Sequence, residues 1–254
     1  MGTVSAYSPE CGGVAMSTAE STVANCASGR PGGARRLDVI VLAGGTARRL
    51  GGASKPDVLV RGVRLLDHVL SGIEHVRAQL PPGRVVVVAP PTVAVPAGVL
   101  QTLEDPPLGG PVAGIAAGLA RLAAAEKVPT PGPVGSTGDM SGGRLTAVVT
   151  CDAPESWRLL PELTKALEGR VGGDGACIVD GDHVQYLLGV YRTAVLAAAV
   201  APGGVGLRDV AVRRVLNGLD LVRVDLAGRG ETLSGAAHDL DTWEDIRTYS
   251  RRDR

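Results

Sequence analysis

The chain has 254 residues, a length that fits one large domain or two small ones. Lys+Arg is 26 and Asp+Glu is 26, so the formal charge is zero, without the basic excess of a dedicated nucleic-acid binder. With two Trp, four Tyr and no Phe, an aromatic platform for stacking bases is excluded, and the 44% hydrophobic content points to an aliphatic core. Cys11, Cys26, Cys151 and Cys177 form no CxxC pair, which argues against a zinc knuckle or a thioredoxin-like site and fits a reducing, cytoplasmic setting. No apolar run approaches the ~20 residues that span a bilayer. The N-terminus lacks the charged and apolar regions of a secretory signal.

In chain order, residues 1–36 are rich in Gly, Ser, Ala and Thr without an apolar period and are expected to be a disordered extension. Order is expected from Leu37. Asp38-Val39-Ile40-Val41-Leu42-Ala43 reads as a buried parallel strand that runs into Gly44-Gly45. A helix is expected over 65–79, with Leu66, Val69, Leu70, Ile73 and Val76 on one face, ended by Pro81-Pro82-Gly83. A strand over 85–89 stops at Pro90-Pro91, and 102–105 reads as a short strand. An Ala/Leu-rich helix over 114–126 precedes a flexible Pro/Gly loop at 128–143. A strand over 145–150 ends on Cys151-Asp152. Beyond it come an amphipathic helix near 158–168, a strand pair near 176–191, an Ala-rich helix from Thr193 and a last helix from Asp241-Thr242. The alternation predicts a three-layer α/β/α sandwich with a mostly parallel, Rossmann-like sheet, a single domain over 37–254. Ligands of such sheets bind beyond the carboxyl ends of the strands, where 44–55 and Asp152 fall.

The segment Leu42-Ala43-Gly44-Gly45-Thr46-Ala47-Arg48-Arg49-Leu50-Gly51-Gly52-Ala53-Ser54-Lys55-Pro56 is the richest in chemistry. Glycines after a strand let the backbone approach a ligand and aim N–H groups at it, while Arg48, Arg49 and Lys55 add fixed positive charge. Together they form a cradle for a polyphosphate. The segment is not a Walker A loop, since no Gly precedes Lys55 and no Ser or Thr follows it. Nor is it GxGxxG, which excludes the nicotinamide-binding oxidoreductase reading. A Gly-rich turn with solvated basic residues is the plain alternative.

The pattern L-A-G-G-x-x-x-R-[ML]-G-G-x-x-K resembles the motif of the sugar-nucleotide-type nucleotidyltransferases, and within them it is most similar to the molybdenum cofactor guanylyltransferases (the MobA family). Four further segments resemble that family in the same order. They are Glu104-Asp105 through Gly114-Ile115, Cys151-Asp152-Ala153-Pro154, Gly189-Val190-Tyr191-Arg192, and Asp239-Leu240-Asp241-Thr242-Trp243-Glu244-Asp245.

The resemblance implies transfer of GMP from GTP to the terminal phosphate of Mo-molybdopterin, with release of pyrophosphate and with Mg²⁺ as the cofactor. Molybdoenzymes or upstream cofactor-synthesis proteins are the implied protein partners. On this reading Asp152 is the metal ligand. Its alternative is an N-cap for the helix after Pro154. Lys55 and Arg49 would hold the β- and γ-phosphates, and Arg48 either joins them or lies on a solvated face. The backbone of Leu42, Ala43, Gly44 and Gly45 would contact the nucleotide. So would the chain at Ala89-Pro90, where relatives often carry Asn. Asp105 either touches the nucleotide or is a turn aspartate before Pro106-Pro107. Asp57 and Glu155 stand where relatives often have apolar residues, and Trp157 could fill the space at Glu155. Asp241 is expected to cap the last helix, with a second metal as its alternative. Cys151 is expected in the core beside the site, and His183 in a loop. Cytidylyltransferases of this fold more often read L-A-A-G, so Gly44 favours guanylyl transfer. The remaining alternative is a protein that binds nucleotide without transferring it.

Overall fold

The computed structural model describes residues 1, 36–44, 54–127, 143–181, 183–227, 233 and 235–251. The expected extension before Arg36, most of the expected loop 128–143, and Gly45, Arg48 and Arg49 lie outside the described residues. From Arg36 onward the elements run β1 (Arg36–Leu42), β2 (Leu59–Val60), β3 (Val63–Arg64), α1 (Leu65–Val76), β4 (Val85–Val88), β5 (Leu100–Thr102), α2 (Gly110–Glu126), β6 (Arg144–Thr150), α3 (Leu160–Glu168), β7 (Gly175–Asp180), β8 (His183–Arg192), α4 (Thr193–Val200), α5 (Val212–Leu216), β9 (Leu221–Asp225) and α6 (Trp243–Arg251).

One seven-stranded sheet has the order β5-β4-β1-β6-β8-β7-β9. Its pairs are parallel except at β8, which runs against both β6 and β7. The four central valines of β4 and the middle of β1 are buried on both faces, as continuous apolar strands must be when helices cover each side. Alternation then divides the core. Val39 and Val41 pack with Leu66, Val69, Ile73, Leu160 and Leu163 from α1 and α3. Ile40 packs on the opposite face with Val112, Ile115, Leu196 and Leu216 from α2, α4 and α5. The expected three-layer α/β/α sandwich is the observed one.

Several bounds differ from expectation for local reasons. The helix expected over 65–79 is α1 followed by a tighter 3-10 turn, Arg77–Gln79. α2 starts at Gly110, four residues early, because Pro111 supplies a ready-made first-turn φ. β9, α5 and the two-residue strands β2 and β3 had no expectation at all.

The connection from β1 goes to β4 and β5 on one side, while β6 lies on the other. The carboxyl ends of β1 and β6 therefore flank the point where the chain's winding reverses, which is where an open α/β sheet leaves a crevice. Leu42, Ala43, Gly44 and Asp152 are all at this rim. At the other end of the same strands, Asp38 is buried at 1% exposure. It accepts from Arg36 Nε at 3.1 Å, Arg144 Nη2 at 2.9 Å and the Arg84 backbone at 2.7 Å.

Candidate active site

Lys55 opens a short 3-10 turn, Lys55–Asp57, whose φ is preset by Pro56. Asp57 ties the turn down: it accepts from Ser54 Oγ and, at 3.1 Å, from Arg64 Nη1. Arg64 also grips Asp67 at 2.7 and 2.8 Å, and these hydrogen bonds, with the lesser pull of Asp57, hold its guanidinium above its ordinary pKa. The charged residue at Asp57, unexpected from the family pattern, is thus the anchor of the turn beneath Lys55.

From this turn Lys55 Nζ donates to Asp152 Oδ2 at 2.8 Å and to Asp241 Oδ1 at 2.6 Å. Burial alone would lower the ammonium's pKa. The charge and hydrogen bond of Asp152, then those of Asp241, outweigh it and hold Lys55 above its ordinary value. The two residues expected to share the phosphate chemistry therefore stand side by side at the switch point.

Asp152 leaves the end of β6 just after Cys151, whose N–H still reaches Leu42 O at 3.0 Å. Its own carbonyl accepts from Leu240 N at 2.8 Å, which draws the 239–241 segment onto the rim. Asp152 is not a helix cap. The 3-10 turn that follows, Ser156–Leu159, begins after Glu155 and receives no side-chain cap. Asp241 is not a cap either, contrary to expectation. Thr242 takes that role: Asp245 N donates to Thr242 Oγ1 at 3.2 Å and Thr242 N donates back to Asp245 Oδ2 at 2.8 Å. This reciprocal pair is a capping box. It leaves Asp241 to turn toward Lys55.

A third carboxylate was not singled out from the sequence. Asp239 is pushed up to about 6, by desolvation first and then by repulsion from Asp152 and Asp241, with Lys55 opposing. The available signal was the Asp239-x-Asp241 spacing, since alternate residues of an extended segment share a face.

A family model, the MobA-like NTP transferase domain, matches residues 39–222. The chain belongs to that family. Molybdopterin-guanine dinucleotide biosynthesis protein A from Archaeoglobus fulgidus is a solved structure with the same fold. Its TM-score is 0.57 at 20% identity, covering 84% of this chain and 96% of that one. Rv0371c from Mycobacterium tuberculosis H37Rv aligns with TM-score 0.52 at 17% identity, covering 85% and 98%. The 2-C-methyl-D-erythritol 4-phosphate cytidylyltransferase from Thermus thermophilus aligns with TM-score 0.51 at 16% identity, covering 83% and 96%. No match to this chain was found among curated proteins.

In this MobA-like domain the backbone at the rim is already partly committed. Ala43 N donates to Val88 O at 3.0 Å and Ala89 N to Thr102 O at 2.9 Å, while Leu42 O receives Cys151 N. Ala89 is 1% exposed and has no polar side chain to offer a ligand. Gly44 is exposed beyond the strand. Asp105 stands exposed between β5 and α2, with a cis bond to Pro106 and no ion pair to Lys55. The turn there is closed by its neighbour: Leu108, in the left-handed region at φ 68°, donates its N–H to Glu104 Oε1 at 3.0 Å. A groove of about 770 Å³ runs from Glu104 and Asp105 between α2 and α4, and Lys55, Asp152 and Asp241 do not line it.

Trp157 is linked to Glu155 through Arg158, which bonds the Glu155 carboxylate. It lies against Gly72 of α1, with the Arg158 guanidinium 4.3 Å from its ring centre. Cys151 is buried and its thiol is pushed up by that burial, which makes it a core residue and a poor nucleophile. His183 is the exposed first residue of β8. Among the described residues no helix is long and apolar enough to cross a membrane.

The donor set fits a magnesium ion. Asp152 Oδ1 is buried and meets no hydrogen-bond donor among the described residues, while Oδ2 accepts from Lys55, so one carboxylate oxygen keeps its lone pairs unused. Mg²⁺ takes oxygen ligands and keeps most of its water, so one or two carboxylates suffice beside phosphate oxygens. Asp152 would hold it, with Asp241 as the neighbouring carboxylate.

Proposed function

We propose that this MobA-like transferase moves GMP from GTP onto the terminal phosphate of Mo-molybdopterin and releases pyrophosphate. The observation that carries the reading is the contact of Lys55 with Asp152 at the sheet's switch point, 2.8 Å long. An ammonium and a cation-seeking carboxylate side by side suit a triphosphate and its counter-ion. When bound, Mg²⁺ supplies charge neutralisation on the phosphates and lowers the repulsion between the two anionic reactants.

The chain's own residues do the remainder. Lys55, held protonated by its carboxylate neighbours, binds the β- and γ-phosphates and stabilises the charge that develops on pyrophosphate. Arg49, in the same Gly-rich segment, has the same role. The acceptor phosphate oxygen forms the new bond to the α-phosphorus as the bond to pyrophosphate breaks. The attacking oxygen is already anionic, so no general base is required. Gly44 and Ala89 offer main-chain contacts to the nucleotide, and Asp105 adds a carboxylate at the far side of that rim.

The test is pyrophosphate release by the purified full chain given molybdopterin, Mg²⁺ and either GTP or CTP. GTP use is the expected result. Use of CTP with GTP refused assigns cytidylyl transfer, the activity named for the Thermus thermophilus neighbour. Nucleotide binding without turnover assigns the non-catalytic reading. Lys55→Ala and Asp152→Ala are each expected to lower turnover by at least ~100-fold while keeping the wild-type circular dichroism spectrum. Wild-type rates in both variants remove the site assignment.

A further inference from the structure

Two segments far apart in sequence bring Asp152 and Asp241 to the same ammonium, and two hydrogen bonds among the described residues join them. The first is the Leu240 N–H on Asp152 O, at 2.8 Å, one residue before Asp241. The second lies eight residues after Asp241. Tyr249 Oη donates to Glu155 Oε1, and Glu155 is three residues beyond Asp152. Glu155 stays ionised: burial would raise its pKa, but the hydrogen bonds from Tyr249 and Arg158 lower it on balance. Tyr249 is in turn fixed from the other side. Arg61 Nη2 donates to its carbonyl at 2.7 Å, the Arg61 guanidinium lies 4.8 Å from its ring centre, and His68 meets the ring edge-on at 6.5 Å. Between the two ties, Leu240 and Ile246 are buried with Val58, Val60 and Leu65.

We propose that Tyr249 and Glu155 are positioning residues that set the spacing between the Asp152 and Asp241 carboxylates, and so the cation affinity of that pair. The proposal rests on the reading of Asp152 as the metal ligand given above. With the Tyr249–Glu155 bond cut, the far end of α6 loses its hydrogen bond to the Asp152 loop while the Leu240 tie and the Lys55 bridge remain, and Asp241 gains freedom about Leu240. Groups behind a metal ligand act in this way: they touch neither ion nor substrate, yet their loss weakens binding because the ligands must be ordered anew.

The test is a titration of the full-length protein with Mn²⁺ alone, followed by the paramagnetic resonance signal of the free ion. Asp152→Ala identifies the site. Tyr249→Phe keeps the ring and its packing and removes the hydroxyl. It is expected to weaken Mn²⁺ binding on the order of tenfold while its thermal midpoint stays near that of wild type. Glu155→Gln keeps an oxygen that accepts from Tyr249 and is expected to bind nearly as wild type, whereas Glu155→Ala should behave as Tyr249→Phe. This second pair carries the test if Tyr249→Phe fails to fold. Unchanged affinity in Tyr249→Phe or in Glu155→Ala overturns the proposal, as does Mn²⁺ binding that Asp152→Ala leaves untouched. A protein that shows the expected titrations but makes no pyrophosphate from GTP refutes guanylyl transfer and leaves the brace standing.

Discussion

Asp239 shows how one side chain can oppose the fold for the sake of its neighbours. Its carboxyl keeps a proton up to about pH 6 in the folded chain, against 3.8 for the free group. The folded state therefore binds more protons than the unfolded state within that window, and stability falls as the pH rises through it. Asp239→Asn is expected to raise the melting temperature near neutral pH and to leave it unchanged below 3.8, where both forms are uncharged. The gain should be at most about 1 kcal/mol, because the residue as a whole reaches water, which offsets part of the carboxyl's desolvation and screens its repulsion by Asp152 and Asp241. Melting curves of the two proteins across that range decide it, and equal midpoints near neutrality would show that the Asp239 carboxyl is neither desolvated nor repelled in the folded chain. Asp241 teaches a second lesson at this scale. Its sequence neighbourhood, with Thr242 and Asp245, reads as a helix start, and a helix does start there. What the local pattern could not show is that the cap is Thr242 and that Asp241 faces a lysine 186 positions away.

At the scale of elements, legibility followed burial. β1, β4 and β6 were readable because strands covered on both faces are unbroken apolar runs. β9 escaped because it lies at the sheet's edge, with Arg223 and Asp225 interrupting its apolar residues. β2 and β3 escaped because two residues make no period. Lys55 and Asp152 stood out as candidate site residues because their residue types are specific, and the structure brings the two together. The Glu155–Tyr249 tie joins residues 94 apart and leaves no local trace. Gly72 in α1 is a position where packing outweighs propensity. Alanine is the better helix former by up to ~1 kcal/mol, yet a Cβ at Gly72 would sit 2.1 Å from the Trp157 ring. That ring is held by Arg158 on its face and by His75, edge-on at 5.5 Å. Gly72→Ala should therefore destabilise by about 1–3 kcal/mol, the usual cost of overpacking. Urea unfolding followed by tryptophan fluorescence measures it, and a stabilised variant would mean that Trp157 moves aside freely.

The whole molecule separates stability from chemistry along the strand axis. The carboxyl ends of β1 and β6 carry the candidate site, and their amino ends carry the buried Asp38 with its arginines. Asp38 is the buried member of this network, while Arg36 and Arg144 stand partly in water and keep Glu126 as a partner, so losing the Asp38 charge costs about 1–3 kcal/mol. Asp38→Asn is thus expected to lower the melting temperature while leaving the KM for nucleotide unchanged in the protein that remains folded. Steady-state kinetics below the transition check this, and a large change in KM would show that the two ends of the strands are coupled.

The carboxylates that share Lys55 come from the middle and near the end of the chain, 97 and 186 residues on. During translation, which proceeds from the amino terminus, the sheet from β1 to β6 can form well before Asp241 leaves the ribosome. Lys55 then meets Asp152 first, and the second half of its clasp arrives only once α6 has emerged to dock. A nascent polypeptide that stops short of α6 would thus hold Lys55 against Asp152 without the Asp241 carboxylate.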